Sequence, residues 1–165
     1  MPSGKVGSNG REITFAQAIK EALAEEMRSD PRVFIIGEDV AEAGTAFKVL
    51  SGLVTEFGPE RVIDSPISEA GIAGMGVGAA MTGMRPVVDL MYVGFLGVCA
   101  DQIINNAAKI HYMFGGKVKI PLTIMTGIGA GTNSAAQHSE TLYSVFTHFP
   151  GLKCVVPSSP YTAKG

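Results

Sequence analysis

Residues 61–91 read RVIDSPISEAGIAGMGVGAAMTGMRPVVDLM, and their organisation decides the fold. Arg61 to Asp64 is a short apolar run closed by an acid, the pattern of a buried strand. Asp64-Ser65-Pro66-Ile67-Ser68 is a turn-rich loop, Glu69 to Met84 is an apolar, glycine-rich helical stretch, and Pro86 to Met91 is a second strand. Strands that are apolar throughout, alternating with helices, predict a parallel sheet covered on both faces.

The alternation continues in both directions. Upstream, Thr14 and Gln17 form a capping-box pattern ahead of Phe15, Ala18, Ile19, Ala22, Leu23 and Met27 at helical spacing. Asp30-Pro31 ends that helix, and Val33 to Ile36 is a strand running into Gly37-Glu38-Asp39. Phe47 to Phe57 reads as a helix ended by Gly58-Pro59. Downstream, Phe95 to Tyr112 reads as a helix, Val118 to Met125 as a fourth strand, Gly127 to Gln137 as a glycine-rich loop, His138 to Phe149 as a short helix and Lys153 to Pro157 as a fifth strand. Residues 1–10 read as a flexible arm or expression remnant, and residues 11–165 as one domain. Ser158-Ser159-Pro160 opens a helix with only five residues after the proline, the expectation being a piece of a longer protein.

Composition narrows the function. A net charge of −2 argues against a nucleic-acid partner. The longest uncharged stretch, Ile120 to Gln137, is too rich in Thr, Gly, Asn and Ser for a membrane span. Cys99 and Cys154 suit neither a disulfide framework nor a metal site, and Met1 to Glu12 has no apolar signal core, so a cytoplasmic setting is expected. The 21 glycines in 165 residues compare with about 12 at the usual frequency near 7%. That excess points to close backbone packing or to surface hidden against partners.

Several groups carry possible chemistry. Gly74, Gly76 and Ala79 with Asp89 resemble a dinucleotide fingerprint, but the run Gly71, Gly74, Gly76, Gly78, Ala79, Ala80, Gly83 reads better as a helix lying against another backbone. Glu69, at the start of that helix, is either a carboxylate satisfied by the helix dipole or a group exchanging a proton with a bound base. His138, beyond the glycine loop, is either a general acid or a polar helix opener; Glu38 and Asp39 sit where strand ends meet a binding crevice. Met91 and Phe95, at a strand-to-helix junction, are either core or the wall of a site for a flat heterocycle.

A set of ordered motifs resolves these alternatives by resemblance. Gly37-Glu38-Asp39-Val40, Phe57-Gly58-Pro59-Glu60-Arg61, Asp64-Ser65-Pro66-Ile67-Ser68-Glu69-Ala70-Gly71, Gly83-Met84-Arg85-Pro86, Asp101-Gln102-Ile103, Tyr112-Met113-Phe114-Gly115-Gly116, Ala136-Gln137-His138-Ser139 and Pro150-Gly151-Leu152-Lys153 closely resemble the β subunit of the E1 component of 2-oxo acid dehydrogenase complexes, of the pyruvate or acetoin dehydrogenase type. The resemblance implies a transketolase-like pyrimidine-binding domain: a three-layer α/β parallel sheet flanked by helices, binding thiamine diphosphate. It implies that Glu69 hydrogen-bonds N1′ of the aminopyrimidine, that Phe95 stacks on that ring, and that Ile67 and Met91 line its pocket. It further implies an active-site role for His138 in substrate and lipoyl handling, and places Glu38 in an acidic tunnel between paired sites.

The implied partners are an E1 α subunit in an α2β2 heterotetramer, which holds most of the diphosphate and its Mg²⁺, and a lipoyl acyltransferase E2. The implied reaction is oxidative decarboxylation of a 2-oxo acid, pyruvate first, or acetoin cleavage, with no metal site on this chain. Met125 stands where relatives commonly carry Arg, and the second α/β domain of full-length β subunits lies outside this sequence. The competing readings are an NAD-binding oxidoreductase domain and a non-catalytic interaction module.

Overall fold

The computed structural model describes residues 11–165; the arm expected at residues 1–10 lies outside them. Its centre is a four-stranded parallel sheet of β1 (Val33–Gly37), β2 (Val62–Asp64), β3 (Arg85–Tyr92) and β4 (Thr123–Gly127), in the order β2-β1-β3-β4. The main helices are α1 (Phe15–Ser29), α2 (Leu53–Phe57) and α3 (Glu69–Met81); α4 (Ile110–Met113), α5 (Tyr143–Thr147) and α6 (Pro160–Lys164) are single turns or little more.

Strand periodicity builds two cores. Ile35 pairs with Val62 and Val87, and these three join Met27, Leu50 and Leu53 on the α1/α2 side of the sheet. Ile36 pairs with Val88, and these face Ile72 and Ala73 of α3 on the other side. Successive residues thus feed opposite layers, so each strand must be apolar throughout. At the entry to β1 the Arg61 guanidinium donates to the carbonyls of Met27, Asp30 and Val33 at 2.6–3.1 Å, tying the end of α1 to the sheet.

The glycines of α3 serve close packing. A Cβ at Gly76 would lie 2.5 Å from Val88 Cγ2 and 3.1 Å from Leu122 Cδ1, so this turn rests directly on β3. Gly74 and Gly76 lie inside the helix and not at a strand-to-helix turn, which removes the dinucleotide fingerprint: no backbone amide there is open to a pyrophosphate. α1 carries the expected capping box, with the Gln17 amide donating to Thr14 Oγ1 at 3.2 Å and the Thr14 amide to Gln17 Oε1 at 2.8 Å. The helix opening at Ser159 also forms with a capping box, and Lys164 of α6 pairs with Glu21 and Glu25 of α1.

Four expectations need correction. Lys153–Pro157 joins no strand of the sheet and exposes Val155 and Val156; its composition is that of a strand, but it pairs with none among the described residues. The helix expected from Phe47 is confined to Leu53–Phe57, since Lys48 and Gly52 take positive φ and break any earlier turn. Phe95 to Tyr112 is not one α-helix: a 3₁₀ stretch (Val93–Gly97), a π-helical stretch (Gln102–Ala107) and α4 follow one another. His138 to Phe149 likewise divides into a 3₁₀ turn (Ala136–His138) and α5.

The contact between α3 and β3 is testable. Gly76→Ala forces a methyl group onto a stiff β-branched side chain and should cost about 1–3 kcal/mol in denaturant unfolding. Gly76→Ala combined with Val88→Ala should cost less than the two single changes added together, because the second removes the atom that the first strikes.

Candidate functional site

Strand order opens the site. From β1 the chain moves outward to β2, then returns across β1 to form β3 and continues to β4 on the other side. The connections leaving β1 and β3 therefore diverge, and a crevice opens where the carboxyl ends of these two neighbours meet. A cavity lies there, lined by Glu38 at the end of β1, Glu69 and Ile72 of α3, Asp89, Leu90 and Met91 of β3, and Phe95. Its free volume of about 10 Å³ is room for one water, so any larger ligand enters by moving side chains or from the open side.

The polar part of the lining is entirely acidic. Glu38 and Glu69 accept no hydrogen bond from any described residue. Burial first, then the charges of Asp39 and Glu69, push the Glu38 carboxyl above its usual range. Burial also pushes Asp89 up, opposed by the Met91 amide, which donates to Asp89 Oδ1 at 2.8 Å. Cys99 lies beneath, its thiol pushed up to about 11 chiefly by burial, with the Glu69 charge adding to the effect. It acts as the small buried hydrophobe its sequence context suggested.

The backbone bends sharply at this point. The β3–β4 register breaks between Asp89 and Tyr92, and Met91 has φ +59°. Beyond the bulge, Tyr92 meets Phe47, Phe95 and His138 edge-on at centroid separations of 5.2, 5.9 and 4.6 Å, and His138 meets Phe95 at 5.4 Å. His138 is thus fixed against the outer side of the aromatic that lines the cavity. Glu140 packs against Gly94, leaving no room there for a side chain.

The structure therefore gathers Glu38, Glu69, Met91 and Phe95 around one cavity and sets His138 behind Phe95. Ile67 stands 74% exposed on the loop ahead of α3, outside this small cavity, where the Ser68 hydroxyl donates to the Pro66 carbonyl at 2.9 Å. Asp89, Leu90, Ile72 and Tyr92 belong to the site although the sequence did not single them out for it. Asp89 drew notice only as a ribose-binding acid, and its telling signal was an acid two residues before Met91, the spacing of an Asx turn. Met125 packs against the α1/α2 core, accounting for an apolar residue there. No cluster of three or more metal-ligating side chains occurs among the described residues.

The transketolase pyrimidine binding domain family matches residues 11–165. The acetoin:2,6-dichlorophenolindophenol oxidoreductase subunit beta of Bacillus subtilis is 52% identical over 167 residues, covering 94% of this chain and 49% of that protein. The pyruvate dehydrogenase E1 component subunit beta of Rickettsia conorii is 49% identical over 154 residues, covering 93% of this chain and 47% of that protein. These are relatives of the kind the motif resemblance implied. A solved structure titled split gene transketolase, inactive beta4 tetramer, shares the fold with a TM-score of 0.70 at 18% identity, over 91% of this chain and 44% of that one. The chain spans about half the length of the curated relatives it matches.

The crowding of carboxylates is open to direct measurement. In a carbon-detected NMR titration, Glu38 should titrate above 4.5. Glu69→Gln should lower that midpoint only partway, since burial and Asp39 remain. The sign follows for stability: a carboxyl raised by folding favours the folded state below its unfolded value, and that contribution is lost as pH rises through the folded one. Stability should accordingly depend less on pH above 4.5 in Glu38→Gln than in the parent chain.

Proposed function

The chain belongs to the transketolase pyrimidine-binding domain family, and on that premise we propose that it forms the aminopyrimidine half of a thiamine diphosphate site in an E1-type dehydrogenase. The observation that carries this reading is the Glu69 carboxylate, unpaired at a cavity whose other walls are apolar or acidic. Such a lining suits a flat heterocycle with a basic nitrogen. It repels a diphosphate, because no Lys or Arg lines the cavity. The phosphate end and its Mg²⁺ are therefore assigned to a second chain, the E1 α subunit, in an α2β2 assembly.

When bound, the cofactor supplies an electron sink for cleaving the bond next to a carbonyl carbon. This chain's residues prepare it for that role. Glu69 holds a proton at N1′ of the ring; the apolar surroundings keep competing water from the carboxylate. Phe95, Ile72, Leu90 and Met91 hold the ring and exclude solvent. His138, held by Tyr92 and Phe95, presents its imidazole at the side from which substrate and a lipoyl group of E2 approach. Glu38 keeps a second carboxyl close to Glu69 and is the group through which a paired site would exchange a proton.

Pyruvate and acetoin are the substrates proposed, following the printed names of the two relatives. Both have a carbonyl beside the bond to be broken, and both yield a two-carbon unit for transfer to a lipoyl group.

In the enzyme reconstituted with an α subunit, Glu69→Gln should reduce thiamine-dependent turnover by about 10²–10⁴-fold with an unchanged melting temperature. Near-normal turnover would remove Glu69 from this role. Phe95→Ala should weaken thiamine diphosphate binding in calorimetry of the same assembly, and unchanged affinity would count against ring stacking.

A further inference from the structure

Three consecutive residues, Asp89, Leu90 and Met91, line one cavity. In a regular strand successive side chains alternate between faces. The regular ladder ends here: Met91 takes φ +59° where the β3–β4 register breaks, and Met91 lines the cavity beside Leu90. Left-handed backbone is uncommon for methionine and persists only when something nearby holds it. The holder is visible. Asp89 Oδ1 accepts the Met91 amide at 2.8 Å, closing an Asx turn over the bend. Asp89 is itself fixed, because β1 packs against it at Gly37, where a Cβ would fall 2.6 Å from the Asp89 carbonyl oxygen and 3.1 Å from its Cβ.

We propose that Asp89 is a positioning residue: by accepting the Met91 amide proton it holds Met91 left-handed and so turns the Met91 side chain into the wall that receives the aminopyrimidine ring. This rests on the reading of the crevice given above, and it adds a role that is distinct from that of Glu69. Asp89 acts through its acceptor oxygen and through the backbone of Met91, without touching the reacting atoms. The charge of its carboxylate is not what the role requires.

The test uses the chain assembled with its α partner. Two readouts are taken: thiamine diphosphate affinity by calorimetry, and the Met91 backbone conformation by crystallography without the cofactor. Asp89→Ala should release Met91 from the left-handed region and weaken affinity about tenfold. Asp89→Asn keeps an acceptor and removes the charge, so it should restore most of that loss. Met91→Gly makes positive φ unstrained, and in that background Asp89→Ala should change affinity by less than about threefold.

The proposal is overturned if Asp89→Asn binds as poorly as Asp89→Ala. It is equally overturned if the glycine background leaves the full loss in place, or if Met91 stays left-handed in Asp89→Ala. Should the parent assembly bind no thiamine diphosphate, the reading of the crevice fails, and the Met91 conformation in Asp89→Ala still decides this proposal. If Asp89→Ala does not fold, Asp89→Asn against the parent chain decides: near-parent affinity with Met91 still left-handed supports the proposal, and a loss of about tenfold overturns it.

Discussion

Two parallel strands lie side by side in this sheet while their onward connections run to opposite sides, and the gap at their carboxyl ends is the constraint on which the site depends. β1 must leave toward β2 and β3 toward β4, so no connection from either strand can cover the point where they meet. Everything in the crevice is set by that arrangement. Glu38 follows β1 directly, Asp89 to Met91 end β3, and Glu69 begins the helix that crosses between β2 and β3. α3 lies close against the sheet, through Gly76 against Val88 and Leu122. Packing deep in the layer thus fixes where the Glu69 carboxylate stands.

Electrostatics then decide what this site can hold alone. Three carboxyl groups with four apolar walls favour a neutral or protonated ring, and burial already raises Glu38 and Asp89. Bringing an anionic diphosphate to the same place would add like charge to like charge at close range. The proposed division, ring on this chain and phosphate on another, follows from that repulsion. It also fits a glycine-rich, weakly charged chain.

Much of this was legible in the residues. The short apolar runs at Val33 and Pro86 announced strands, because each must serve two cores, and the small residues from Gly71 to Gly83 announced a helix in close packing. Glu69 and Phe95 stood at element boundaries, where ligands are met. What escaped depended on contacts distant in sequence. Lys153–Pro157 has the composition of a strand but no partner among the described residues, and composition cannot supply one. The long helix expected from Phe95 is divided into 3₁₀ and π-helical pieces, with Phe95 against Tyr92 and Ile103 in the core beneath α3, contacts that no local periodicity records. Asp89 entered only through a dinucleotide fingerprint set aside in favour of close packing, and its partner is a backbone amide two residues away.

The most direct measurement is a structure of the chain assembled with its α subunit and thiamine diphosphate. The account predicts the aminopyrimidine between α3 and the end of β3, with a Glu69 oxygen at hydrogen-bonding distance, about 2.7–3.0 Å, from N1′ and the diphosphate held by the other chain. A ring bound elsewhere, or a Glu69 carboxylate turned into solvent with the cofactor in place, would contradict it.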